Sequence, residues 1–170
     1  KNLGIPDVRF KVVLEECEPT LNGIDKVNFM FSANPGFPLA PLADTASGGE
    51  KSRVLLAIKA IFASFDQTNL LVFDEIDSGV SGSVSSYVAN LLSDLSKHRQ
   101  VFCVTHQPLI AAFADNHFAL KKTVVAGHTK SNVFNLKEIA DRQRELALLA
   151  GGEVVEANAY AASLLEHKAA

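Results

Sequence analysis

The sequence predicts an α/β fold in which a parallel sheet with flanking helices is joined to antiparallel strands. Two short runs, Leu70–Phe73 and residues 101–104, are continuously apolar, as strands covered on both faces are. Helical spacing lies before and between them. Val54, Leu55, Ile58, Ile61, Phe62 and Phe65 mark one apolar stripe, and Val84, Val88, Leu91, Leu92 and Leu95 mark a second. Helices alternating with apolar strands imply a parallel sheet with crossover helices. The first third differs, because residues 9–15 and 26–31 alternate apolar and polar side chains around an Asn22-Gly23 turn signal. That pattern predicts an antiparallel hairpin.

The remaining elements follow in order. Residues 34–41 are rich in proline and glycine and are expected to form a loop. Short strands are expected at 117–120 and 132–135. Two helices, over 136–149 and 154–167, close the chain, separated by Gly151-Gly152. There is no internal repeat and no low-complexity linker.

Bulk properties bound the function. The 170 residues suit one domain, 1–170, and a chain of that size buries roughly 70% of its unfolded surface. Hydrophobic residues make up 48% and charged residues 21%, which is ordinary globular usage. No window approaches the roughly 20 mostly apolar residues of a membrane-spanning helix, and no signal peptide is visible. The chain begins at Lys1 rather than Met, which points to a fragment or a processed terminus. Cys17 and Cys103 are far apart and lack metal-ligand spacing. Cys103 is expected to be a buried thiol in a reducing, cytosolic setting. The net charge of −3 argues against a broadly basic surface for nucleic acid. Lys121-Lys122 and Arg142 with Arg144 are local basic clusters, and such clusters are usually solvated faces.

Four segments have the residue types that chemistry needs. Ser47-Gly48-Gly49-Glu50 opens the first helix. It reads as a capping box, with Ser47 as the cap and Glu50 reaching back. The same geometry offers free N–H groups and a positive dipole end to a phosphate. Asp74 and Glu75 follow directly on an apolar strand. They are either polar residues at a strand end or a catalytic pair at the edge where open α/β sheets bind ligands. Two adjacent carboxylates near an apolar core repel each other, and a Mg²⁺ ion with nucleotide phosphates would relieve that. Asp74 would hold the ion through water, and Glu75 would orient or deprotonate an attacking water. Asp77-Ser78-Gly79-Val80-Ser81-Gly82 comes next. It is a loop in which Ser81 caps the following helix, or a loop that reports nucleotide state to a neighbouring subunit. Finally, His106 ends the second apolar strand. A lone histidine is more often structural. On a parallel neighbour of the first strand, however, it shares an edge with Asp74 and Glu75, within reach of a γ-phosphate.

Taken in order, the four segments resemble the ATP-binding-cassette ATPase heads. Ser47, Gly48, Gly49 and Glu50 match the signature motif. Leu70–Phe73 with Asp74 matches Walker B, and Glu75 the catalytic glutamate. Asp77, Ser78 and Gly79 match the D-loop, and His106 the switch histidine. Within that superfamily, residues 46–53, 73–82, 104–108 and 31–36 resemble the RecN family of bacterial DNA repair proteins. These are similar in plan to chromosome-maintenance (SMC) proteins, whose heads are split by a coiled coil. The resemblance covers nearly the whole chain.

The resemblance implies the C-terminal lobe of a split head. ATP and Mg²⁺ would be its cofactors. Its partners would be an N-terminal Walker A lobe of the same parent, a second head in a homodimer, and DNA through the full-length protein, with no membrane. Its place would be the cytoplasm, at the nucleoid. The sequence agrees on one point: no Gly-x-x-x-x-Gly-Lys-Ser/Thr phosphate loop is present, and Gly49-Glu50-Lys51-Ser52 fails that pattern. The chain alone is therefore expected to be inactive. Three other readings stand beside this one. They are a split head of SMC or RecF type, a catalytically silent dimerisation or DNA-docking module, and a transporter ATPase. The β-rich first third and the missing phosphate loop disfavour the last.

Overall fold

The structure is a computed structural model that describes residues 2–62, 68–80, 82–125, 127–152 and 154–169. Phe65 of the first predicted stripe and the predicted cap Ser81 lie outside the described residues. The expected hairpin is present: β1 (Arg9–Thr20) pairs antiparallel with β2 (Gly23–Ser32). At its turn Thr20 Oγ1 accepts from the Asn22 N–H at 3.1 Å and donates to the Gly23 carbonyl at 2.9 Å. A φ of +120° at Gly23 suits glycine there. Within the expected 34–41 loop, β3 (Ala40–Pro41) adds a short strand against β2. The proline sits where an edge strand tolerates a missing N–H.

Next come α1 (Leu42–Thr45), α2 (Gly48–Ile61) and β4 (Leu70–Phe73). They are followed by α3 (Gly82–Ser96), β5 (Gln100–Cys103) and α4 (Pro108–Ala112). β4 and β5 run parallel, with Leu70 opposite Gln100 and Phe73 opposite Cys103, and α3 is the crossover between them. Both strands therefore end at the same edge of the sheet. The apolar side of α3 packs as expected, with Val88, Leu92 and Leu95 buried. They meet Leu71, Phe73, Ile76, Leu56 and Ile110 in the main core.

The C-terminal part is a second hairpin, β6 (His117–Val125) with β7 (His128–Leu136), longer than the expected strands. After it come α5 (Ile139–Ala150) and α6 (Val155–Ala169). Gly151 and Gly152 take φ of +136° and +108° between the two helices, a turn that a β-carbon would strain. Leu146, Ala147, Ala157, Ala161 and Leu164 pack there with Ala111 and Ala112 of α4.

Two expectations need correction. Neither core strand is covered on both faces: Leu71 and Phe73 are buried, but Leu70, Val72, Phe102 and Val104 are exposed. An apolar run identifies a strand fit for double coverage, and this chain supplies the covering layer on one face only. The α2 stripe is also turned. Leu55, Ile61 and Phe62 are exposed, while Leu56 and Arg53 face inward. The rotation follows from polar anchors. Ser52 Oγ donates to the Asp74 carbonyl at 2.7 Å, and Arg53 donates to the Ser78 carbonyl at 2.7 Å.

This rotation makes adjacent leucines unequal. Leu56→Ala is expected to cost about 2–5 kcal/mol through a core cavity. Leu55→Ala should stay within about 0.5 kcal/mol, as surface substitutions do. Urea unfolding followed by circular dichroism checks both. Equal losses would mean that the stripe read from the sequence is the buried one.

Candidate functional site

The edge where β4 and β5 end is a recess of about 360 Å³, lined by Asp74, Glu75, Asp77, Ser78, Val104, Thr105 and His106. Parallel register brings Asp74 and Glu75, after β4, beside the 104–107 segment after β5. The Val104 N–H donates to the Phe73 carbonyl at 2.9 Å and extends that register by one step. Asp74, Glu75, Asp77, Ser78 and His106 are thereby gathered into one place.

Ser47 and Glu50 form the capping box in full. The Ser47 N–H donates to Glu50 Oε2 at 2.8 Å, and the Glu50 N–H donates to Ser47 Oγ at 3.3 Å. The two glycines have a further reason that the sequence alone did not show. A β-carbon on Gly48 would come within 2.6 Å of Glu75 Oε2. One on Gly49 would lie 2.8 Å from Ser78 Cβ and 3.0 Å from the Glu75 carbonyl oxygen. The start of α2 thus packs directly on the 75–78 loop, and at position 49 only glycine permits the approach, whereas at position 48 the close atom is the movable end of the Glu75 side chain. The Glu75 carboxylate lies beside the helix N-terminus, where the dipole favours negative charge.

Asp74 and Glu75 are both exposed, so solvent meets the charge that was expected to crowd against the core. Asp74 Oδ1 accepts the Glu75 N–H at 2.9 Å. Glu75 has a φ of +55°, a left-handed conformation that costs a non-glycine residue about 1–2 kcal/mol. Among the described residues no group of three or more His, Cys, Asp or Glu side chains could hold a metal ion by itself. An exposed Asp74 with Oδ2 free of any hydrogen bond among the described residues nonetheless suits Mg²⁺. That ion is typically bound by one or two carboxylates together with waters and substrate phosphates.

Asp77, at the start of the expected loop, is buried at 2% exposure. Its Oδ2 accepts Thr105 Oγ1–H at 2.5 Å, the His106 N–H at 2.8 Å and the Gln107 N–H at 3.2 Å. His106 Nδ1 lies 3.1 Å from the same oxygen, while the ring as a whole is 70% exposed. On the other side of the loop, Arg53 donates to the carbonyls of Ser78 and, at 3.5 Å, of Ile76. Its burial opposes the charge and lowers its pKa, while Glu50 partly restores it. Arg53, Ser52 and Thr105 are the participants that sequence reading passed over. The polar positions three and four residues after Gly49 were the available signal for the first two.

Of the basic clusters, Lys121, Lys122 and Arg144 are exposed as expected, and Arg142 is structural. Arg142 donates to the Ala112 and Ala114 carbonyls at 3.3 and 2.7 Å, closing the end of α4. Arg144 pairs with Asp141 at 3.3 Å, and Lys121 lies 3.9 Å from Glu145. Cys103 is half-buried on β5 rather than fully buried.

No protein-family model matches the chain. Curated relatives do match. The chain is 45% identical over 186 aligned residues to the DNA repair protein RecN of Synechocystis sp., covering 100% of this chain and 32% of that protein. It is 40% identical to RecN of Treponema pallidum, over 94% of this chain and 29% of the relative. It is 43% identical to RecN of Bacillus subtilis, over 81% of this chain and 24% of the relative. The chain belongs with the RecN family. It spans about a third or less of the RecN proteins it matches, and the matched segment is their C-terminal part.

Solved structures agree on the fold. The Smc head domain of Pyrococcus yayanosii superposes with a TM-score of 0.59 at 23% identity, over 85% of this chain and 26% of that one. An Smc head domain of Pyrococcus furiosus gives 0.53 at 24% identity, over 79% and 32%. The fold is thus that of part of an SMC-type head, as expected for a RecN segment.

One chemical consequence of the site concerns Cys103. Burial, with Asp77 and then Asp74 adding negative charge, pushes its thiol up to about 12. Each effect disfavours the thiolate, so raising the pH through the neutral and mildly alkaline range does not activate it. Iodoacetamide at mildly alkaline pH should modify exposed Cys17 and spare Cys103 until denaturant is added. Peptide mass spectrometry reads this, and equal modification of both in the folded chain would contradict the described packing.

Proposed function

We propose that this chain is the C-terminal half of an SMC-like ATPase head that hydrolyses ATP across a head–head dimer in DNA double-strand break repair and recombination. One observation carries the reading: Asp74, Glu75, Asp77 and His106 converge at one sheet edge, with the Ser47-Gly48-Gly49-Glu50 helix start packed on the same loop. RecN relatives support the repair setting. A phosphate cradle is missing from the sequence, and three sheets each leave an apolar face open. These faces present Phe10, Val12 and Phe29 on the first, Val72 and Phe102 on the second, and Leu120 and Val133 on the third. Exposed apolar surface of this kind marks a protein interface. An N-terminal Walker A lobe of the same parent is the occupant we propose for it, with the assembled protein cytoplasmic, at the nucleoid and on DNA.

In this reading ATP rests on the partner lobe. Asp74 would hold Mg²⁺, which supplies charge compensation for the phosphates. Glu75 orients the attacking water and takes its proton, and His106 lies at the γ-phosphate. The start of α2 serves the nucleotide of the opposite head. Catalysis of phosphoryl transfer is largely positioning and charge stabilisation, which suits a site built from loop ends on a packed sheet.

Two variants test the assignment in the head completed by the Walker A lobe. Glu75→Gln should keep ATP-driven dimerisation and lower turnover by roughly 10²–10⁴-fold, the usual contribution of a general base. Steady-state phosphate release and light scattering measure the pair, and undiminished turnover would remove Glu75 from the role. Ser47→Arg should leave single-site ATP binding intact and abolish dimerisation by bulk and charge. Dimerisation at wild-type ATP concentrations would refute the signature role.

A further inference from the structure

We infer that Asp77 is the positioning residue for His106: it fixes the loop that carries the ring through a single buried carboxylate oxygen. The inference rests on the ATPase reading above and goes beyond a D-loop that only faces a neighbour. Three donors from Thr105, His106 and Gln107 converge on Asp77 Oδ2. Thr105 Oγ1 also accepts the Gln107 N–H at 3.0 Å, so the turn after β5 is closed from inside as well. A buried carboxylate needs such donors, and charge-assisted hydrogen bonds are the stronger kind. The 104–107 segment contains no regular structure of its own. Its conformation is set by this oxygen.

The ring follows from the loop. His106 Nδ1 is 3.1 Å from Oδ2. It comes close without the alignment of a hydrogen bond, so the ring is placed through the loop: its own backbone N–H is tied to Oδ2, and the carboxylate charge sits beside the imidazole. Asp77 itself is held from the far side, because Arg53 clamps the carbonyls on either side of it.

The test uses the head completed by the Walker A lobe. Asp77→Ala should lower kcat about 10–100-fold, the usual range for an orienting partner, with KM for ATP little changed. Asp77→Asn keeps an oxygen for the same donors and should recover most of the turnover. The double variant Asp77→Ala/His106→Gln should be no slower than His106→Gln alone, because one residue acts through the other. Losses that multiply in the double variant overturn the inference, as does an Asp77→Asn head that is folded by circular dichroism yet stays as slow as Asp77→Ala. A native head without turnover overturns the ATPase reading instead.

Discussion

One oxygen atom, Asp77 Oδ2, holds together the parts of this chain that matter for chemistry. A carboxylate buried to 2% exposure is tolerable only when donors surround it, and here they come from the end of β5. The β4 end and the β5 end are thereby locked to each other beyond the last ladder bond. Arg53 and Ser52 of α2 complete the lock from the other side by donating to carbonyls of Asp74, Ile76 and Ser78. The 74–78 loop is thus trapped between a helix start and a second strand end.

Strain gathers at the same place. Glu75 sits in the left-handed region at φ +55°, and Gly79 at +70°. Gly49 allows an approach to Ser78 and the Glu75 carbonyl that no β-carbon would survive. Non-glycine residues keep such backbone conformations only where the surroundings over-determine them, and they cluster at functional sites. The capping box and the close packing are therefore compatible with a phosphate role for the same residues. The helix must start there, tightly and with its N–H groups directed outward, for either purpose.

The distribution of burial points outward from the chain. The main core is completed by α2, α3, β4 and β5 on one side of the parallel strands, while their other side presents Leu70, Val72, Phe102 and Val104 to solvent. The β1–β2 hairpin does the same with Phe10 stacked on Phe29 at a centroid separation of 5.8 Å. Apolar faces on all three sheets fit a segment that spans a third or less of its RecN relatives.

Hydrophobic period and local chemistry settled a good deal in the sequence: the first hairpin, short strands where β6 and β7 lie, the parallel pair, α3 and the closing helices, and the capping box at Ser47. Each element is legible because its pattern depends on neighbours within a few residues, where a period of two or of three to four is a direct consequence of backbone geometry, and the alternation of helix and apolar strand implied the parallel pairing. The order of the motifs also placed Asp74, Glu75 and His106 at one edge, since parallel strands must end together. Other features required the folded chain. The rotation of α2, the inward Arg53 and the burial of Asp77 depend on carbonyls and N–H groups that lie more than twenty residues away. So does the need for glycine at position 49. Sequence periodicity records which side chains are apolar, but which backbone groups lack a partner emerges only when β4, β5 and α2 are packed together. A buried charge goes where those partners are.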